Sequence, residues 1–226
     1  MNPQIYSVLP GRFINFATKA RRHEGTKKLD LMKFQEWTDM KAIQALADKI
    51  GWFHTVVATG CFSGYSPVAS GTAGTVVAIP LYLLFVKTGW LLYALDALVL
   101  FVVGMQGATR IEAATERKDN GIIVIDEIVG YLVTMFLVPY PPLPLPGGDY
   151  PPLTSPGRGW ELILSGRGWL LVVLGFFVFR LFDIVKPYPA RKLDQNPNLK
   201  GFGVMIDDVV AGVYSNLVLQ IVARLI

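Results

Sequence analysis

The chain has one cysteine, Cys61, and two histidines, His23 and His54. A lone cysteine permits no intramolecular disulfide. The residues after it read FSGYSPVAS, so no arginine stands close behind to cradle an anion beside a thiolate nucleophile. Two histidines are too few for chemistry that positions several, and His54, ahead of Gly60, reads as structural. Neither a G-x-S-x-G elbow nor a pair of aspartates separated by one residue occurs, which excludes serine-hydrolase and aspartyl-phosphate chemistry. Charge is scarce as well: 17% of residues are charged against 52% hydrophobic, with mean hydropathy +0.43, a balance unlike that of soluble domains. The first twenty residues lack the apolar core and small-residue cleavage site of a signal peptide, so a cytoplasmic N-terminus is expected. The net charge of +4 is modest, and the basic residues crowd the first fifty positions without interleaved aromatics. Nucleic acid is therefore a poor partner and an anionic membrane surface a better one.

What is present is apolar helix. Residues 1–28 are polar, basic and without periodicity, whereas Met32, Met40, Ile43, Leu46 and Ile50 recur with helical spacing and predict an amphipathic helix over 29–50. Five apolar stretches follow, at 73–86, 90–106, 122–138, 169–182 and 209–226. Each approaches the length that spans a bilayer. The first and fourth are short enough to be buried helices of a soluble bundle or re-entrant segments, and the second carries Asp96 in its middle, which is costly in hydrocarbon without a partner. Residues 139–168 (PYPPLPLPGGDYPPLTSPGRG and onward) break the pattern with proline and glycine and read as an extended connector. The expected fold is all-α: about five apolar helices in a membrane bundle, comprising residues 51–226, preceded by a basic extension, residues 1–50, that ends in the amphipathic helix.

If all five stretches cross from a cytoplasmic N-terminus, sixteen lysines and arginines fall on the cytoplasmic side and two, Arg158 and Arg167, outside. That satisfies the positive-inside rule. The same assignment sets Asp126 and Glu127 one turn into the third stretch, Asp183 at the end of the fourth and Asp207 and Asp208 at the opening of the fifth, all at one depth on one face. Carboxylates in apolar helices persist when paired with cations or coordinated to metal. Mg²⁺ suits such oxygens, held by carboxylates, water and substrate phosphate. Arg180, three residues before Asp183, together with Lys186 and Arg191, supplies cations for a phosphate. Salt bridges stapling helix ends would use the same residues, but interior ion pairs rarely repay their desolvation without a further purpose. Residues 60–75, GCFSGYSPVASGTAGT, lead into the first apolar helix at the same face. Their backbone N–H groups and the hydroxyls of Ser63, Ser66 and Thr72 suit an anion, although small residues equally serve close helix packing. Once the chemistries above are excluded, attack by a metal-activated water or by an unrecognised carboxylate or hydroxyl nucleophile remains.

Four runs in order, ATGCFSGYSPVASGTAGT, IIVIDEIVGYLVTMFLVP, FRLFDIVKPYPARKLD and GFGVMIDDVVAGVYSNLVL, resemble the phosphatidylglycerophosphatase A family of bacterial lipid phosphatases. The resemblance covers residues 52–226 apart from the proline-rich connector. It implies an all-α protein of the cytoplasmic membrane, its active site on the cytoplasmic face, that hydrolyses the terminal phosphate of phosphatidylglycerophosphate with Mg²⁺ as cofactor. The family motifs fall on Asp126 and Glu127, on Asp183, Lys186 and Pro187, and on Asp207 and Asp208. Asp126, Glu127, Asp207 and Asp208 are the expected metal ligands, with Asp183 either catalytic or orienting the cations. Ser70 stands where the family's first motif has proline, and the N-terminal extension and connector are further departures. Two rival readings differ in class. A phosphotransferase acting on a CDP-activated lipid would carry a DG-x-x-AR signature, but Ile follows Asp183. An ion or proton transporter would line a midplane pathway with acids, and Asp96 alone approaches that depth.

Overall fold

A computed structural model describes residues 40–118, 120–138, 166–190, 192 and 199–225. The chain divides into two units, Met1–Ala45 and Leu46–Ile226. In the first, residues 40–45 are helical, which covers part of the predicted amphipathic helix; the rest of that prediction, like the connector over 139–165, lies outside the described residues. The second unit is all-α, with no strand among the described residues. It opens with a helical turn to residue 50, followed by α1 (Trp52–Ala58), α2 (Ser70–Phe85), α3 (Trp90–Thr115), α4 (Ile125–Met135), α5 (Gly166–Val185) and α6 (Lys200–Leu225).

Four segments are long and apolar enough to cross a membrane: Ser70–Thr88, Trp90–Thr115, Gly168–Val185 and Lys200–Leu225. Their outward faces carry Leu84, Leu91, Leu95, Leu98, Phe177 and Leu217, all more than half exposed, as lipid-facing positions should be. The third predicted stretch behaves differently. It folds as α4, eleven residues and so about 16 Å long, too short to span alone. Nine of its residues are buried, because α2, α3, α5 and α6 surround it. Other boundaries move as well. Helix α5 begins at Gly166, inside the stretch read as connector, and α6 begins at Lys200, so Asp207 and Asp208 lie two turns inside that helix and do not open it. Helix α3 continues to Thr115, which leaves Asp96 in its second turn, away from the middle.

A short helix inside an apolar bundle leaves its end carbonyls in a medium without water, where each unsatisfied group is expensive. Here all of them are answered. The Tyr93 hydroxyl donates to the Leu132 carbonyl at 2.7 Å. Backbone N–H groups of Phe136 and Val138 reach the carbonyls of Val133 and Met135. Asn216 on α6 donates to the carbonyls of Thr134 at 2.9 Å and Phe136 at 2.7 Å, with Gln220 assisting at Phe136. The other side of the contact is made by removal of side chains: a Cβ on Gly212 would stand 2.5 Å from the Gly130 carbonyl oxygen, so α6 and α4 touch backbone to backbone. Tyr82, Tyr93 and Tyr131 pack edge-on beside this end, each such pair contributing about 0.5–1.5 kcal/mol beyond its buried area.

The topology brings one set of helix ends together. Glycine contacts join Gly71 of α2 to Glu127 of α4 and to Arg180 of α5, and Gly104 of α3 to Ile125 of α4 and Met205 of α6. The N-termini of α2 and α4, the C-termini of α3 and α5 and the first turns of α6 therefore share one end of the bundle. At the other end are the α2–α3 turn at Val86–Gly89, Met135–Leu137 and the start of α5, where Tyr131 donates to the Val172 carbonyl.

Candidate functional site

The acidic residues meet at the shared end. Carboxylate oxygens of Asp126, Glu127 and Asp208 lie within 4.8 Å of one another. Asp126 and Asp208 are 8% and 4% exposed, and Asp207 beside them is 4% exposed. Asp126 and Glu127 occupy the first turn of α4, where the helix dipole favours negative charge, and no side chain caps that helix in their place. Asp207 and Asp183 lie close enough for their charges to act on Asp126 and Asp208 respectively. Carboxylates so close repel one another unless a proton or a cation stands between them. Asp126 Oδ1 and Glu127 Oε2 are nonetheless buried with no hydrogen-bond partner, which a native fold rarely tolerates. Oxygens left over from three carboxylates suit a hard divalent cation that takes the rest of its coordination from water and phosphate.

The cations stand beside this cluster in two pairs. Arg180 Nη1 lies 2.7 Å from Asp183 Oδ2, one turn apart on α5. That contact is an ion pair without hydrogen-bond alignment, so the N–H donors at Nη1 have no acceptor. Lys186 Nζ lies 2.6 Å from Asp207 Oδ2. Arg191, the third expected cation, lies outside the described residues.

The small-residue segment reaches the site through one position. A Cβ on Gly71 would collide with Glu127 Oε1 and come within 3.1–3.2 Å of both terminal nitrogens of Arg180. Only a glycine lets the first turn of α2 approach the carboxylate and the guanidinium together. Thr72 lies in that turn, whose leading N–H groups have no intrahelical acceptor, since the first bond of this helix runs from Ala73 to the Ala69 carbonyl. Ser63 and Ser66 sit in the preceding 3-10 turn and at its end, and their hydroxyls donate to the carbonyls of Thr59 and Val68. The structure thus gathers Asp126, Glu127, Asp183, Asp207, Asp208, Arg180 and Lys186 at one end, with the α2 N-terminus against them. Gly71 was not singled out from the sequence; its signal was present in SGTAGT but shared with every small residue there. His54 is apart from this cluster. Its Nδ1 faces Arg110 at 3.2 Å, and partial desolvation followed by that positive charge lowers its pKa, in keeping with a structural role.

All-α, with bilayer-length apolar helices and carboxylates gathered at their common end, the molecule is a membrane protein built like an enzyme that works on a polar group at the membrane surface. Residues 56–223 match the family model for phosphatidylglycerophosphatase A. The chain belongs to the phosphatidylglycerophosphatase A family, a family of phosphatases. It is 32% identical over 169 residues to phosphatidylglycerophosphatase A of Escherichia coli K12, covering 75% of this chain and 83% of that protein. It is 30% identical over 167 residues to phosphatidylglycerophosphatase A of Haemophilus influenzae, covering 72% and 84%. It is also 37% identical over 172 residues to a Bacteroides thetaiotaomicron protein named "Putative phosphatidylinositol-3-phosphatase", covering 74% and 91%. No solved structure matches the chain.

Proposed function

We propose that the chain hydrolyses the terminal phosphate monoester of phosphatidylglycerophosphate to phosphatidylglycerol, with Mg²⁺ as cofactor, at the cytoplasmic face of a bacterial inner membrane. The observation that carries the reading is the oxygen triad of Asp126, Glu127 and Asp208, with its two unpartnered buried oxygens, set against Arg180 and the α2 N-terminus. Negative and positive groups side by side fit a cation and a phosphate bound together, which neither a purely cationic nor a purely acidic pocket would.

Asp126, Glu127 and Asp208 would hold Mg²⁺, which when bound supplies charge neutralisation at the phosphoryl oxygens and activates a water for in-line attack. Arg180 then takes the phosphate through its guanidinium, which Asp183 keeps turned toward the triad. The leading N–H groups of α2 present the positive end of a helix to the same anion. Gly71 lets them come close enough to act. Lys186 adds a second positive charge, and hydrolysis weakens the hold on the product by removing the group all of these bind. A lipid in the cytoplasmic leaflet reaches the site without leaving the bilayer, its chains beside the exposed apolar faces of α2 and α5 and its headgroup at the helix ends. Among the described basic residues of this unit, Lys49, Arg110, Arg117, Lys118, Arg180, Lys186, Lys192 and Lys200 lie in or beside the site-bearing end, and Lys87, Arg167 and Arg224 at the other, a balance that supports the orientation.

The test is inorganic phosphate release by the detergent-purified chain from phosphatidylglycerophosphate, with Mg²⁺ and with EDTA, and with phosphatidylinositol 3-phosphate as the competing substrate. Release that requires Mg²⁺ and prefers phosphatidylglycerophosphate is expected. Activity undiminished by EDTA would refute the cofactor assignment, and preference for the inositol lipid would refute the substrate.

A further inference from the structure

The two adjacent aspartates of α6 have different surroundings. Asp208 joins the oxygen triad with Asp126 and Glu127, whereas Asp207 turns its Oδ2 to Lys186 Nζ at 2.6 Å. The pair is lopsided in exposure: the Asp207 side chain is 5% exposed and that of Lys186 31%, so the carboxylate is the buried anchor and the lysine the more accessible partner. Lys186 is also held in an uncommon backbone state. Its φ is +45° and its N–H closes onto the Phe182 carbonyl at 2.8 Å, a left-handed cap that ends α5 ahead of Pro187 and fixes where the lysine leaves the helix. Asp207 meanwhile lies close enough to Asp126 and Asp208 for its charge to act on both, so the ammonium it holds sits next to the triad.

We propose that Asp207 is a positioning residue and not a metal ligand: it anchors Lys186 at the edge of the triad, where the ammonium meets the substrate phosphate. This rests on the phosphate-hydrolysis reading above and assigns separate tasks to the two halves of the Asp207–Asp208 motif. Mn²⁺ binding to purified D207N, D126N and wild-type chain, followed by electron paramagnetic resonance without substrate, separates the roles. D207N is expected to bind Mn²⁺ within about twofold of wild type, while D126N loses more than the roughly 10- to 100-fold that removal of an outer partner of a ligand costs. Kinetics supply the second arm: D207N and K186M each raise KM for the lipid phosphate by a similar factor, the D207N/K186M double variant is no worse than K186M, and K186R restores much of the loss. Loss of Mn²⁺ binding in D207N to the level of D126N would overturn the proposal, as would a double variant whose losses multiply or single variants with unchanged KM. If wild-type chain bound no Mn²⁺, the triad reading would fall, and the coupling between D207N and K186M would still decide this one.

Discussion

At the C-terminal end of α4 every terminal carbonyl has a donor, supplied by Tyr93, Asn216, Gln220 or the following backbone. At the N-terminal end of the same helix, Asp126 Oδ1 and Glu127 Oε2 have none. Both ends are buried in one apolar bundle, so the medium does not explain the difference. Three side chains were placed to satisfy neutral carbonyls, yet nothing was placed to satisfy two carboxylate oxygens that cost more to leave bare. One end is finished by the chain itself. The other is arranged to be finished by something that the chain binds.

The largest effects are expected where that contrast is sharpest. D126N and E127Q keep the size of each side chain and remove its charge, so folding and membrane insertion should persist while Mg²⁺-dependent phosphate release falls on the order of 10³-fold or more, the scale on which one member of a group acting together is lost. Phosphate release assayed on detergent-purified protein checks this, and activity near wild type in either variant would remove the triad from the chemistry. Next comes Gly71→Ala. Its Cβ would collide with Glu127 Oε1 and crowd Arg180, so α2 or the carboxylate must shift. A displacement near 1 Å at a reacting centre costs about 10²-fold. The loss should appear in kcat/KM for the lipid with the helical circular dichroism unchanged; a fully active G71A would show that the α2 N-terminus does not touch the phosphate.

The same contrast explains which parts of the molecule were legible in its sequence. Apolar stretches and the positive-inside count depend on composition over many residues, so the helical membrane fold and the convergence of Asp126, Glu127, Asp183, Asp207 and Asp208 could be read without coordinates. Helix length could not be read for 122–138. That stretch is as apolar as its neighbours, but its helix starts three residues late, at Ile125, and ends three early, at Met135, where donors from elsewhere in the bundle answer the last carbonyls. Those partners, Asn216 and Gln220, lie more than eighty residues along the chain on α6, beyond any local pattern. Nor could spacing distinguish Asp207 from Asp208. Adjacent positions on a helix point about 100° apart, so one faces Lys186 and the other the triad, but which is which depends on the rotation of α6 against α4. The Gly130–Gly212 contact fixes that rotation, and its pairing also joins distant residues.

Smaller effects are expected away from the unsatisfied end, and they should fall on stability, not on catalysis. Asn216→Leu leaves the Thr134 carbonyl without its donor and Phe136 with only the long contact from Gln220 at 3.4 Å. A buried acceptor left bare costs about 1–3 kcal/mol. Thermal or denaturant unfolding in detergent should register that loss, while phosphate release per folded molecule stays near wild type. A variant with normal stability and impaired turnover would mean that the C-terminal end of α4 belongs to the site after all.

The smallest effect tests the remaining acidic residue in an apolar helix. Asp96 lies six residues after Trp90, about 9 Å along α3 from its start, at the end of the bundle opposite the triad. It is half-buried and shares no end of the bundle with the carboxylate triad. Asp96→Asn should therefore change phosphate release by no more than about twofold, the range of substitutions outside such machinery. Complete loss of activity would require a charged path between the ends of α3, and that would favour proton or ion movement over a site confined to one end.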